Sequence, residues 1–385
     1  MKRLLVIGAE GHFGREILKG IDAYCTRNGN WEFHLEEGIL PDTIKRAGLA
    51  IRQWKADAII ARVLTAALER LVRRSGLPVV NVSGVREIDL PLVRTDDATA
   101  GRMVARHFLD SGFRSFGFSA KTGEAYTIRR CEGFVGELAG AGFGCNVFAD
   151  RCEGTSESNW VRNRQRMDRW LLSLPKPVGV TCIHDFRGRD IAQACRLMGI
   201  RVPDDVAVVG MGNEEIMCRM CSPPLSSVQV DSQRIGYEAA RLVDQMIHGR
   251  RVPSQLILIA PKQVVMRQSS DIVAIDDPDI ASAVRFIRDH AGEPITVKDI
   301  LREVPISRRA MEMRFARLVG RTPRGEITRI RMARARSLLA ETKLPIPAVA
   351  QGSGFTCSAS FSDFFRRTVG VTPTHYRRNS AMAGS

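Results

Sequence analysis

For its first 270 residues the chain alternates short apolar runs with amphipathic stretches, and then the alternation stops. Strand-like runs stand at Leu4–Ile7, Trp31–Leu35, Ala58–Ala61, Val79–Val82, Ser115–Ser119, Val178–Ile183, Val206–Gly210 and Leu256–Ile259. Between them Phe13–Cys25, Thr65–Arg74, Ala98–Leu109, Arg129–Leu138, Trp160–Leu172, Gly188–Leu197 and Ser232–Ile247 repeat apolar residues at helical spacing. This alternation predicts parallel strands covered by helices on both faces, and at this length two doubly wound lobes rather than one. Beyond Arg267 a polar, proline-containing connection leads into purely helical text: Ile280–His290, Val297–Val304, Ser307–Leu318, Pro323–Ala340, Ile346–Gln351, Ser358–Val369 and Pro373–Arg378. The predicted organisation is a two-lobed α/β domain at 1–270, a linker at 271–278 and an all-α domain at 279–385.

Composition sharpens the contrast between the two parts. With 44% hydrophobic and 26% charged residues and no low-complexity tract, the chain reads as globular rather than disordered or fibrous. From Asp277 onward it carries 19 basic against 10 acidic residues, whereas the preceding residues are nearly balanced at 38 against 32. A basic module on a balanced body is the signature of polyanion binding driven by counterion release. The basic start Met1-Lys2-Arg3 leads into only four strongly apolar residues, so no targeting segment is expected, and no run approaches the roughly 18 apolar residues of a membrane span. A cytoplasmic protein is expected. The nine cysteines lack the spacing of a disulfide framework, and Cys218-Arg219-Met220-Cys221 has no second ligand pair, so neither disulfides nor a metal site are expected.

Ligands of doubly wound sheets lie beyond the carboxyl ends of strands. That rule directs attention to Gly8–Gly14, Asn81–Gly84, Ser119–Thr122, His184–Asp185 and Gly210–Asn213. The first of these, with Gly8, Gly11 and Gly14 after a strand and Glu36 or Glu37 ending the next, approaches a dinucleotide-binding fingerprint. It sustains an alternative reading as an NAD(P)-dependent oxidoreductase. Against it, no catalytic constellation follows downstream, and a redox enzyme leaves the helical third unexplained.

The helical third states one phrase twice. Val297–Val304, a turn at Pro305-Ile306 and a helix opening at Ser307 make the first copy, at about 296–319; Ile346–Gln351, Gly352–Phe355 and a helix from Ser358 make the second, at about 346–369. Each ends in Phe, Gly and Thr-Pro, as Phe315, Gly320, Thr322-Pro323 and as Phe365, Gly370, Thr372-Pro373. Helix, turn and capped helix is the helix-turn-helix signal. A recognition helix aims its N-terminal side chains at base edges while flanking cations grip phosphate. The candidate DNA contacts are Ser307, Arg308, Arg309, Glu312 and Arg314 in the first motif and Thr356, Ser358, Ser360, Asp363, Arg366 and Arg367 in the second, with Arg314 and Arg317 as phosphate clamps or solvated surface and Arg366 and Arg367 as backbone grips.

The segment from Gly354-Phe355 through Phe361, Phe365 and Gly370 to Tyr376-Arg377 resembles the signature of AraC/XylS-type transcription regulators, and Arg331–Leu339 resembles the helix that joins their two motifs. The first 270 residues resemble a LacI/GalR-type effector domain, a relative of the type I periplasmic binding proteins; Glu157–Trp160, Trp170–Pro175, Gly210–Glu215 and Leu225–Val228 carry that likeness. The pairing resembles the xylose operon regulator group. It implies a periplasmic-binding-protein-like fold with a sugar-like effector held between the lobes. Carried over by position, Arg130, Asp185 and Asn213 supply polar contacts, Trp160 supplies a stacking face, and His12 and Phe13 add contacts from the first loop. One departure stands out: the family's Gly-x-Asp acceptor reads Gly210-Met211-Gly212, so D-xylose is expected to bind weakly. The expected protein is an effector-controlled transcription regulator, homodimeric, with operator DNA as partner, RNA polymerase as a candidate partner, and no catalytic residue, cofactor or metal.

Overall fold

The computed structural model describes the backbone of residues 1–36, 38, 41–150, 157–250, 256–272, 275 and 277–382, and the side chains of all these except 41, 150, 157, 158, 160, 337, 340, 341 and 379–382. Two units divide the chain, Met1–Ile272 and Val273–Ser385.

The first unit contains strands β1 (Lys2–Ile7), β2 (Trp31–Glu36), β3 (Ala58–Ala61), β4 (Val79–Asn81), β5 (Leu92–Thr95), β6 (Ser115–Lys121), β7 (Asn146–Asp150), β8 (Val178–Cys182), β9 (Val206–Met211), β10 (Ser226–Gln229), β11 (Leu256–Ile259) and β12 (Gln263–Val265). They form two six-stranded sheets, ordered β11-β5-β4-β3-β1-β2 and β12-β10-β9-β8-β6-β7. All pairings are parallel except β10 with β12. The chain therefore crosses between lobes after β5, after β10 and after β11. Strand β1 shows why the run Leu4–Ile7 is apolar at every position. Leu4 and Val6 face the helices Gly11–Cys25 and Ser232–Ile247, while Leu5 and Ile7 face a core beneath Pro41–Gln53 and Ala66–Arg74.

Four strands lie outside the eight apolar runs. Strands β5 and β10 escape the pattern because they bury polar side chains that find hydrogen-bond partners inside the protein, the Arg94 Nε excepted. Arg94 donates to the Thr95 carbonyl at 3.0 Å, and Ser226 to the Arg267 carbonyl at 2.9 Å. Helix packing in the second lobe depends on glycine. A Cβ at Gly101 would stand 2.1 Å from the Arg130 carbonyl oxygen, and one at Gly133 2.1 Å from that of Ala98. Backbone contact between Asp97–Asp110 and Ala125–Gly140 is thus required, and it brings Asp97 against Arg129 and Arg130.

The second unit holds the helices Pro278–Asp289, Val297–Glu303, Arg308–Val319, Pro323–Glu341, Ile346–Gly352, Ser358–Val369 and Pro373–Met382. Pro323–Glu341 serves two cores. Its Ile327 and Ile330 join Met311 and Phe315, whereas Met332, Ala335 and Leu339 join Phe361 and Phe365. The repeated phrase is a repeated junction. Gly320 and Gly370 end their helices at φ 74° and 84°, the left-handed conformation in which glycine carries no steric cost. Thr322 and Thr372 then accept from the amides of Gly325 and His375 at 3.1 and 3.3 Å, ahead of a proline whose missing N–H is not needed in a first turn.

Candidate functional site

A cavity of about 710 Å³ opens between the two sheets at their carboxyl ends. His12 and Phe13 line it at the start of the helix Gly11–Cys25, with Arg62 just past β3. The other lobe contributes Tyr126, Arg130, His184, Asp185 and Phe186, with Arg94 and Asp97 at the first crossing. Of the effector contacts drawn from the sequence, His12, Phe13, Arg130 and Asp185 meet here.

Arg130 is pre-oriented rather than mobile. Its Nε donates to Asp97 at 2.9 Å, its Nη1 to the Ile183 carbonyl, and its guanidinium lies 4.8 Å from the Tyr126 ring centre. Asp97, only 2% exposed, also accepts from Arg94 and Arg129, at 3.3 and 3.2 Å. Asp185 is equally buried, accepts from the Ser227 hydroxyl and from the Glu214 amide at 2.8 Å, and its carboxyl is pushed up from the ordinary range by burial. Beside it the His184 ring is pushed down by burial and by Arg130, so it stays neutral and accepts the Arg187 amide at 3.1 Å to cap the helix Asp185–Leu197.

Gly212 explains its own departure from the family. A Cβ there would stand 3.1 Å from Asp185 Oδ2, so an aspartate at 212 would meet a carboxylate already in place. An acidic group is present at this corner after all, supplied by the neighbouring strand end. Asn213 is placed differently from the expectation. It is outside the cavity lining; its amide donates to Ser227 at 3.0 Å and its Oδ1 accepts from Arg267 at 2.9 Å, so it stands behind Asp185. Trp160 belongs to the helix Glu157–Ser173, and its side chain lies outside the described residues. Phe186, 47% exposed on the cavity wall, is an aromatic face the sequence reading passed over. It directly follows Asp185, and Arg62 directly follows β3, so the strand-end rule applied to every strand would have found both.

The glycine loop does not make a dinucleotide site. Gly14 is required because a Cβ would stand 2.2 Å from the Ala9 carbonyl carbon, a packing reason for the glycine, and Glu10 makes no side-chain cap at the helix start. Glu36 is taken by Arg46 and His34, both at 3.0 Å, leaving nothing for a ribose; Glu37 lies outside the described residues. Burial pushes the thiols of Cys218 and Cys221 up, and among the described residues no group of three His, Cys, Asp or Glu could hold a metal. No described helix is long and apolar enough to cross a membrane.

On the helical unit, Arg308–Val319 buries Met311, Phe315 and Val319 and exposes Arg308, Arg309, Glu312 and Arg317. Ser307 caps it, accepting from the Ala310 amide at 3.2 Å, and Arg308 pairs with Glu312 at 2.8 Å. Ser358–Val369 buries Phe361 and Phe365 and exposes Ser360, Asp363, Arg366 and Arg367, with Thr356 exposed ahead of it and Ser358 half-buried. Ser360 donates to the Cys357 carbonyl at 3.0 Å, and Arg366 stands 3.7 Å from Asp363. Arg314 is placed differently from the other arginines of its helix: its Nε donates to Asp277 at 2.7 Å and its Nη2 to Asp277 and Asp279, so it ties the recognition helix to the start of Pro278–Asp289. That partnership spans 37 residues, which no local pattern signals.

Comparison with known proteins agrees with both halves. Residues 105–270 match a periplasmic binding protein-like domain and residues 300–379 a helix-turn-helix domain. The xylose operon regulatory protein of Escherichia coli (strain K12) is 28% identical over 97% of this chain and 96% of its own length, and that of Haemophilus influenzae is 28% identical over 98% of each. The solved structure of a xylose-binding transcription activator, xylR, superposes with a TM-score of 0.76 at 28% identity, covering 98% of both chains. None of these relatives is an oxidoreductase. The chain is a transcription regulator in which a periplasmic-binding-protein-like effector domain precedes an AraC-type helix-turn-helix DNA-binding domain, the make-up of the xylose operon regulators.

Proposed function

We propose that the protein is a cytoplasmic, non-enzymatic homodimer that changes its hold on paired operator half-sites when a small sugar-like effector enters the cleft. The observation that carries this reading is a cavity of about 710 Å³ lined by pre-oriented polar groups and aromatic faces, in the same chain as two helix-turn-helix recognition helices, the first capped by Ser307. Arg130 and Asp185 hold hydroxyls, His12 and Phe13 close the near wall, Trp160 stacks, and Asn213 acts through Ser227 and Asp185. On DNA, Arg308, Arg309, Glu312, Thr356, Ser358, Ser360 and Asp363 read base edges from helices capped by residues such as Ser307, while Arg366 and Arg367 grip phosphate. RNA polymerase is a candidate partner. Xylose is the ligand named for the solved xylR structure; in this chain Gly212 leaves the acidic corner to Asp185, and the effector is a polyhydroxy compound of a kind the sugar panel identifies. Gel shifts of the full-length protein on its own promoter, with a panel of sugars and their acids, test the whole reading. Binding should weaken steeply between 50 and 200 mM salt, by a factor on the order of 10³ or more for six or more phosphate contacts, and one panel member should alter it. Salt-insensitive binding, or none at low salt, would defeat it.

A further inference from the structure

Arg62 stands in the cleft wall without an anionic partner among the described residues. Its Nη1 donates to the carbonyls of Gly8 and Glu10 at 3.3 and 3.4 Å, both long bonds, and its guanidinium lies 5.2 Å from the centre of the Phe13 ring. Its Nε is buried with no hydrogen-bond partner, and its Nη2 makes none among the described residues. No described carboxylate stands within 4 Å of it; Glu10, whose carbonyl it contacts, contributes only an attractive field. The part left over is the Nε/Nη2 edge, whose two parallel N–H groups match a carboxylate or phosphate. Elsewhere this protein fills that same edge with carboxylates. Arg201 gives Nε and Nη2 to Asp205 at 3.0 and 2.6 Å, and Arg314 gives the same pair to Asp277. A buried cation is normally paired, whereas Arg62, which lines the cavity, has no such partner among the described residues. Further along the same cavity Arg94 and Arg130 are both held by the carboxylate of Asp97, so these two cations, unlike Arg62, have an anionic partner.

We infer that the effector is an anion, a polyhydroxy compound whose carboxylate or phosphate docks on the Nε/Nη2 edge of Arg62 while its hydroxyls reach Arg130 and Asp185. This rests on the cleft being the effector site. A sugar acid or sugar phosphate satisfies it, and a neutral pentose or hexose does not.

Calorimetry on the full-length protein with gluconate, glucuronate, xylonate and glucose 6-phosphate beside neutral glucose and xylose tests it. At least one acid or phosphate should bind ten times tighter than its neutral parent, and the identity of that ligand separates carboxylate from phosphate. Arg62→Gln should erase the preference, and Arg62→Lys, which keeps the charge but loses the fork, should keep part of it. The unliganded Arg62→Gln protein should also melt higher than wild type, because an unpaired cation is removed; a lower melting temperature would make Arg62 a structural residue and overturn the inference. Neutral sugars binding as tightly as every acid and phosphate would overturn it too. Phe186→Ala separates the two layers. If neutral binding is lost in Phe186→Ala but untouched by Arg62→Gln, the cleft stands and the anion falls; if a tight ligand ignores both changes, the cleft reading itself falls.

Discussion

In the cleft, Arg94, Arg129 and Arg130 share the carboxylate of Asp97, whereas Arg309, Arg317 and Arg367 on the helical unit have no carboxylate partner among the described residues. The first group is buried or nearly so, and its hydrogen bonds fix where each guanidinium points before a ligand arrives. The second group is solvated, so its charge stays available to a polyanion at little desolvation cost. Arg314 crosses the divide: it sits on a recognition helix yet is bound like a cleft arginine. Position in a motif therefore does not decide what an arginine does. The carboxylates within reach decide it.

The strongest way to break this comparison is to remove the scaffold of one side. Phe315, fully buried between the first motif and the long helix, should cost about 3–5 kcal/mol when replaced by alanine. Calorimetric scans of the full chain should show a lower melting transition for the helical unit and an unshifted one for the two-lobed unit; loss of both together would mean the units do not unfold separately.

A smaller effect sharpens the assignment of the solvated arginines. Arg309→Ala should cost about 1–3 kcal/mol on operator DNA and little on random DNA, whereas Arg366→Ala and Arg367→Ala should weaken both alike and flatten the salt slope. Parallel gel shifts on the two DNAs check it, and equal losses for all three variants would erase the distinction.

The smallest effect concerns Arg314. Hydrogen bonds from its guanidinium hold the Asp277 carboxyl below the ordinary carboxylate range, helped by the amide of Ile280. A depressed carboxyl contributes stability above its unfolded value and loses it as pH falls through the folded one, so the contribution is full above about pH 4 and fades below it. Asp277→Asn should lower the melting temperature of the helical unit at pH 6 and converge on wild type as pH drops toward 3. Arg314→Ala should do the same while leaving the salt slope of DNA binding unchanged; a flatter slope would return Arg314 to the phosphate-gripping set.

Much of this molecule is written locally. The helix-turn-helix pair was legible because its signals are caps, left-handed glycines and threonine-proline starts, all within a few residues of one another. The apolar strands were legible for a similar reason: burial on both faces leaves a continuous run. Strands β5 and β10 were not, since Arg94, Ser226 and Ser227 look exposed until the groups that satisfy them are seen. The site divides in the same way. His12, Phe13, Arg130 and Asp185 follow from strand ends and family position, but Arg62 and Phe186 required the cavity to be seen.

By itself, then, the sequence determined a two-lobed α/β effector domain followed by two helix-turn-helix motifs, since periodicity and capping act over one or two turns of chain. Only the tertiary structure decided which charges are spent and which remain. Asp185 fills the corner that Gly212 leaves vacant, Asp277 claims Arg314, and no described residue claims the Nε of Arg62. Electrostatic partners are chosen by distance in space, and the glycine contacts that bring Asp97 against Arg130, 33 residues away, have no trace in the local pattern.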